Sequence, residues 1–142
     1  LLDTTVFIDL VGDAETERHA SAHVLGAAMG GTFSFAVAFG SLQEILHVLA
    51  RRRKSVDQAV EFSSWIEKTF RIVGHDASDA GRTIELFAAH PGLGASDSMI
   101  ASAAERIGAD LVVTRDKGFG RSIGERWIDP MDSESLGRLL DR

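Results

Sequence analysis

A three-layer α/β/α sandwich, with helices on both faces of a mostly parallel sheet of about five strands, is the fold class that three observations predict. Short apolar runs alternate along the chain with longer stretches of helical period. One such run, Leu111-Val112-Val113, is apolar at every position, as a central parallel strand covered on both faces must be. No internal repeat, low-complexity tract or linker rich in Pro, Gly or Ser interrupts the 142 residues, so one domain spanning 1–142 is expected.

In chain order, Leu1-Leu2 begins a strand expected to end near Asp3, and Val6-Phe7-Ile8 is apolar again before Asp9, Gly12 and Asp13 break the pattern. A helix is expected from about Ala14 to Met29, closed by Gly30-Gly31. Phe33, Phe35, Val37 and Phe39 then alternate with small residues as a half-buried strand would, until Gly40 and Ser41 stop it. Leu42, Ile45, Leu46, Val48 and Leu49 recur at helical spacing and predict a helix from Ser41 to about Arg53, followed by a second from Val56 to Thr69. Phe70 to Val73 reads as a strand. Asp76 or Ser78 is placed to cap a helix through Ala89, and His90-Pro91-Gly92-Leu93-Gly94 is a loop. Ser96 is expected to open a helix to Ile107, with Gly108 as its stop. Trp127 and Ile128 form a candidate edge strand before Asp129-Pro130, and a last helix runs from Ser133 to Leu140. Ligands of such sheets collect beyond the carboxyl ends of the strands, where Asp3 and Asp116 are expected.

Composition narrows the function classes. With 44% hydrophobic and 25% charged residues the chain is an ordinary globular sequence, long enough to bury a core without staples. The absence of cysteine excludes disulfides, thiolate zinc sites and cysteine nucleophiles, and suits a reducing, cytoplasmic setting. No apolar run approaches the ~18 residues of a membrane span. The opening Leu1-Leu2 lacks an initiator Met and lies inside a strand, which points to a few preceding residues rather than to a cleaved signal. Fifteen Lys and Arg against 21 Asp and Glu leave a net charge of −6, so any nucleic acid must be held by local basic patches rather than bulk attraction. The candidates are Arg51-Arg52-Arg53-Lys54, Arg115 with Lys117, and Arg121 with Arg126.

Four acids, Asp3, Glu44, Asp97 and Asp116, fall where a strand ends or a helix begins. Each has a structural explanation by itself. Ser41-Leu42-Gln43-Glu44 matches a capping box, Asp97 follows the expected cap Ser96, Asp116 suits a turn, and Asp3 suits an Asx-type bond before Thr4 and Thr5. Together they can face one crevice, and two carboxylates 4 Å apart repel by about 4 kcal/mol at an effective dielectric of 20. Such a cluster calls for a cation or for protons, with at least one carboxyl shifted up in the metal-free protein. Carboxylate oxygens are the ligands that Mg²⁺ takes, one or two at a time, beside water and substrate phosphate.

These residues carry a resemblance. Leu1-Leu2-Asp3-Thr4-Thr5-Val6-Phe7-Ile8, Glu44 in a helix, Gly94-Ala95-Ser96-Asp97-Ser98-Met99-Ile100-Ala101 and Val113-Thr114-Arg115-Asp116-Lys117-Gly118-Phe119 follow, in order, the pattern of PIN-domain proteins, and are most similar to the VapC toxins of toxin–antitoxin pairs. The resemblance implies a PIN-like sandwich, Mg²⁺- or Mn²⁺-dependent endoribonuclease activity on RNA such as tRNA or rRNA, a homodimer, and a small antitoxin that blocks the site. It carries Asp3, Glu44, Asp97 and Asp116 over as catalytic acids, with Thr114 as a supporting hydroxyl. Some relatives have a further acid where Gly118 stands, which removes one potential ligand for a second metal. On this reading Asp3 and Asp97 are the main metal ligands, and Glu44 and Asp116 complete the shell and orient the attacking water.

Arg115 and Lys117 beside Asp116, and Arg51 and Arg52 at a helix end, are candidate RNA contacts. The latter pair is equally explained by the helix dipole and solvation. His19 and His23, four apart, lack the support a zinc site needs and read as a solvated helix face. Phe33, Phe35 and Phe39 read as core and sheet packing, and Trp65 as an interface aromatic. Competing functions are a haloacid dehalogenase-type phosphatase, which needs a second acid where Thr5 stands, a receiver-like metal-binding module without catalysis, and a DNA-directed nuclease of the same fold.

Overall fold

Leu2 is the hinge of the whole sheet. In the computed structural model, which describes all residues except 32, 53, 54, 125, 141 and 142 and leaves the side chains of 133 and 138–140 aside, Leu2 bridges in parallel to both Val37 and Val113. The chain runs α1 (Thr4–Leu10), α2 (Glu15–Met29), β1 (Ala36–Ala38), α3 (Phe39–Arg52), α4 (Val56–Thr69), β2 (Arg71–Val73), α5 (Asp79–Ala89), α6 (Ala95–Arg106), β3 (Val112–Val113), α7 (Lys117–Ser122), β4 (Trp127–Ile128) and α8 (Ser133–Leu140). The pairs β1–β2 and β3–β4 are parallel, and Leu2 joins them into the order β2–β1–Leu2–β3–β4. Its amide donates to Ala36 O, the next amide, of Asp3, donates to Val113 O, and Val113 N donates to Leu1 O.

From Leu2 the chain crosses through α1 and α2 to β1 on one side, whereas from β3 it crosses through α7 to β4 on the other. The connections diverge between Leu2 and β3, so the carboxyl ends of these two strands flank a crevice, the position where open α/β sheets bind ligands. Asp3 and Thr114 are the residues immediately beyond those ends.

The period of two sorts the core into two layers. Leu2, Val37, Val113 and Ile128 pack with Val6, Phe7, Ile45 and Ile66 of α1, α3 and α4, whereas Leu1, Ala36, Ala38 and Val112 pack with Ile100, Ala103 and Phe119 of α6 and α7. Small residues meet on the second face, where alanines of β1 and α6 allow a close approach. Each large side chain fully buried here contributes roughly 1.5–3 kcal/mol. An edge-to-face chain of aromatics, Phe7–Phe70 at 5.6 Å and Phe70–Trp65 at 5.8 Å, extends the first layer to the surface. Trp65 is therefore half-buried packing as well as the wall of an open groove lined by Leu10, Val11, Leu49 and Phe62 together with Gln58 and Glu61.

The elements differ from the expected ones at four places. Residues 4–10 form a helix, because Asp3 caps it by accepting from Thr5 N although Thr4, Thr5, Val6 and Ile8 favour a strand. A further helix, α7, starts at Lys117, capped by the Asp116 carboxylate on the amides of Gly118 and Phe119. The strand expected through Phe39 is only Ala36–Ala38, and Phe39 opens α3 with 44% of its surface exposed rather than packing in the core. Phe33 and Phe35 do pack on the core, edge to face at 6.0 Å. Finally, α6 begins at Ala95 with Gly94 as its cap, so Ser96 is not the cap. The Ser41-to-Arg53 and 56-to-69 helices are otherwise close to α3 and α4, and Arg53 and Lys54 lie outside the described residues.

Away from the crevice, charges pair. Arg106 Nε donates to Asp79 Oδ1 at 2.9 Å and its Nη2 to Gly74 O at 2.6 Å. Glu105 accepts from Arg82 at 2.7 Å and from Arg126 at 3.2 Å, which ties α5, α6 and the approach to β4 together. Trp127 lies flat over Gly120, where any Cβ would overlap the indole. No helix among the described residues is long and apolar enough to cross a membrane.

Candidate active site

The crevice is a cleft of about 210 Å³ whose wall includes Asp3, Glu44, Asp97 and Asp116. The four acids are thus brought together from four separate parts of the chain. Asp3 is the floor, only 4% exposed, Asp97 is half-buried on the wall, and Glu44 and Asp116 stand exposed at the rim.

Helix starts hold three of them. Asp3 caps α1, Asp116 caps α7, and the Asp97 carboxylate accepts from Gly94 N at 3.3 Å at the start of α6. Each therefore meets backbone N–H groups carrying the positive end of a helix dipole, which lessens their mutual repulsion. The structural and chemical explanations of these acids are not exclusive, since capping is what aims them into the cleft. Glu44 is different. The capping box expected for it does not form, because α3 starts two residues before Ser41 and leaves Ser41 buried within the helix, its Oγ without a partner among the described residues. Glu44 instead accepts from Thr4 Oγ1 at 2.9 Å, which ties α3 to α1.

Hydroxyls brace the floor. Thr114 Oγ1 donates to Asp3 Oδ2 at 2.8 Å and accepts from Asp116 N at 3.0 Å. Thr5 Oγ1 donates to the same Asp3 oxygen at 3.0 Å and accepts from Arg115 N at 3.0 Å. Both threonines link the two strand ends that flank the crevice. Thr114 is fully buried, so its hydroxyl is fixed in this role.

Electrostatics follow from that geometry. Burial pushes the Asp3 carboxyl above its ordinary value, against the opposing effect of the Thr114 and Thr5 hydroxyls. Asp97 is pushed up to about 6, by burial first, then by the charge of Asp3, with Asp116 and Glu44 adding to it. A carboxyl raised by burial and then further by neighbouring anions marks a site short of positive charge.

Among the described residues no three His, Cys, Asp or Glu side chains close into a ready metal cage. The acids line a cleft instead, with only oxygen donors on their side of it, and this donor set suits a hard divalent cation that keeps most of its shell for water and substrate phosphate. That fit rests on the donor set itself, with Asp3, Glu44, Asp97 and Asp116 lining one cleft. His19 and His23 stand exposed on α2, away from this cleft.

The basic candidates separate. Arg52 and Arg115 line the cleft, whereas Arg51 and Lys117 are exposed and outside its wall. Arg115 Nη1 is 2.8 Å from Asp9 Oδ1 and 4.0 Å from Glu17, and Arg126 is committed to Glu105. Asp9, Thr4 and Thr5 are cleft residues that the sequence reading did not assign. Thr5 and Asp9 are four apart and share a helix face, a signal visible only once residues 4–10 are read as α1.

Comparison with known proteins bears on the same region. The PIN domain family model matches residues 1–122, which include all four acids. Ribonuclease VapC7 of Mycobacterium tuberculosis is 28% identical over 130 residues, covering 84% of this chain and 83% of that protein. The crystal structure of VapBC2 from Rickettsia felis bound to a DNA fragment from their promoter contains a chain of the same fold, with a TM-score of 0.71 over 89% of this chain and 95% of that one, at 18% identity.

Proposed function

The chain belongs to the PIN-domain family, and from that premise we propose that it is an endoribonuclease of the VapC toxin type, dependent on Mg²⁺ or Mn²⁺ and restrained by a small antitoxin. The observation that carries this reading is the four-acid cleft at the divergence of the sheet, with Asp97 pushed up to about 6 by burial first and then by the charge of Asp3. The VapC7 likeness supports RNA as the substrate, and the solved VapBC2 assembly supports a partner protein. A homodimer, a tRNA or rRNA target, and a single functional domain over 1–142 belong to the same proposal.

Asp3 and Asp97 would hold the cation, Asp3 fixed by Thr114 and Thr5 and Asp97 by Gly94 N. When bound, the cation supplies Lewis acidity, making water easier to deprotonate and offsetting charge on the phosphate oxygens. Glu44, anchored by Thr4, accepts the proton of the attacking water, and Asp116 orients that water from the rim. Water attack leaves a 5′-phosphate and a 3′-hydroxyl. Thr5 stands where a phosphatase acting through Asp3 would need its second acid, and its hydroxyl is already spent on Asp3 and Arg115 N.

The test is incubation of purified protein with total RNA and Mg²⁺, beside Asp97→Asn and beside a chelator, with mapping of the new ends. Cuts bearing 5′-phosphates that vanish in both controls are expected. Ends carrying 2′,3′-cyclic phosphate, or a trapped phosphoaspartate, would overturn the mechanism.

A further inference from the structure

A cleft lined by five acids, Asp9 beside the four of the candidate site, repels the polyanion it is proposed to cut, so something in it must attract phosphate. Two of its lining residues are cations, Arg52 and Arg115. Arg52 is exposed and makes no ion pair among the described residues, so ordering it on a ligand costs side-chain entropy. Arg115 is already ordered at both ends. Its amide donates to Thr5 Oγ1, which in turn donates to Asp3, and its Nη1 meets Asp9 Oδ1 at 2.8 Å.

We propose that Asp9 is a positioning residue that holds the Arg115 guanidinium as a clamp for an RNA backbone phosphate beside the one being cut; the proposal rests on the ribonuclease reading above. Two features of Asp9 argue for positioning rather than simple neutralisation. Its other oxygen, Oδ2, accepts from Ser21 Oγ at 3.2 Å, and Ser21 is fully buried on α2, so the carboxylate itself is fixed. Asp9 Oδ1 meets Arg115 at Nη1, and Nε and Nη2 of Arg115 make no hydrogen bond among the described residues. Free guanidinium donors on a rigid mount are what bidentate phosphate recognition requires. Glu17, 4.0 Å from Nη1, is too distant for a short charge-assisted bond and does not occupy those donors.

Positioning and bulk electrostatics predict opposite signs for one substitution. Asp9→Asn removes a negative charge from the cleft, so attraction alone would tighten RNA binding, whereas loss of a clamp would weaken it. Cleavage of a fluorescent single-stranded oligoribonucleotide with Mg²⁺ reads KM and kcat, and anisotropy of the same oligomer without divalent metal reads binding. Asp9→Asn and Arg115→Ala are each expected to weaken binding and raise KM about tenfold, with kcat within about twofold, the size of one charge-assisted hydrogen bond. The double variant should be no weaker than Arg115→Ala alone, as expected of groups acting as one unit. Ser21→Ala, which leaves every charge in place, should shift KM in the same direction by less. Arg115→Ala should also reduce the salt slope of binding by about 1. Tighter binding by Asp9→Asn, or additive losses in the double variant, would overturn the clamp while leaving the ribonuclease standing. Wild-type protein that binds the oligomer without cutting it would overturn the ribonuclease and leave the binding arm to judge the clamp.

Discussion

Asp3 and Asp79 are buried to nearly the same degree, 4% and 5% exposed, yet their carboxyls move in opposite directions. Burial raises both. At Asp79 the amide of Asp76 and the guanidinium of Arg106 outweigh burial and hold the carboxyl below its ordinary value. Around Asp3 the partners among the described residues are hydroxyls and amides, without a cation, and its carboxyl stays raised. The same contrast separates Asp97, raised by burial and then by the charge of other acids, from Glu105, lowered first by Arg82. The α5–α6 scaffold is a closed set of charges, whereas the cleft is an open one. Anions taken out of water beside one another, as Asp3 and Asp97 are, weaken the empty fold, and the proposed cation would complete the set.

The largest expected effect comes from exchanging charge for shape in both places. Asp3→Asn should lower RNA cleavage by about 10²–10³-fold or more, since a group acting on the transition state is lost, while the metal-free protein at pH 7 melts no lower than wild type. Asp79→Asn should do the reverse. Cleavage stays near wild type, and unfolding becomes easier by about 2 kcal/mol, less than the ~3–5 of a fully buried pair because the Arg106 side chain is 34% exposed. Thermal melts and single-turnover cleavage on the same preparations decide it. Equal destabilisation by both substitutions would erase the distinction between the two regions.

Acid–base titration of stability sharpens the contrast. Asp97 has a folded pKa of about 6, above its unfolded ~3.9, so the folded state favours its protonated form. That contribution is full below pH ~4 and is lost as pH rises through about 6, and Asp3 acts in the same direction. Asp79 has the opposite sign. Its contribution is full above the ordinary carboxyl range and is lost as pH falls through its lowered folded value. Metal-free stability should therefore decline from pH 4 to 7 because of the cleft and decline in stronger acid because of the scaffold. Added Mg²⁺ or Mn²⁺ should reverse only the first decline, by about 2.7 kcal/mol at 100 times its Kd. Metal stabilisation that is equal at pH 5 and pH 7, or that survives Asp97→Asn, would place the cation elsewhere.

The two regions also differ in how far the sequence announced them. The acids of the cleft were legible because each sits beside a strand end or helix start, and such positions converge in a parallel α/β sheet wherever the chain reverses its winding. Their exact setting was not. Glu44 imitates a capping box that dissolves once α3 starts at Phe39, and Ser96 imitates a cap although Gly94 takes the place. The β-branched run from Thr4 to Ile8 hides a helix because a cap and tertiary packing override intrinsic preference. Two glycines conceal α7 in the same way, held by the Asp116 cap and by the fit of Gly120 under Trp127. Ion pairs were the least legible feature. Arg82 reaches Glu105 and Arg106 reaches Asp79 across more than twenty residues, and no local pattern encodes such distances.

The smallest expected effect lies at the edge of the closed set and tests whether closure itself matters. Glu105 joins Arg82 and Arg126, but its side chain is 27% exposed and theirs are 45% and 52%, so water and salt already screen both contacts. Exposed pairs contribute about 0–1 kcal/mol each, and Glu105 makes two, so Glu105→Gln should cost on the order of 1 kcal/mol in all. At 1 M salt, where the Debye length is about 3 Å, most of that loss should disappear. Asp79→Asn should keep most of its loss at the same salt, because its carboxylate is shielded from solvent. If Glu105→Gln instead matched Asp79→Asn in size and in salt resistance, Arg82, Glu105, Arg106 and Asp79 would be acting as one network. The scaffold would then owe its strength to connectivity rather than to one buried pair. That outcome would also make the lack of a cation acting on Asp3 and Asp97 a larger departure, since the open set would adjoin a cooperative one through α6, the helix that carries both Asp97 and Arg106.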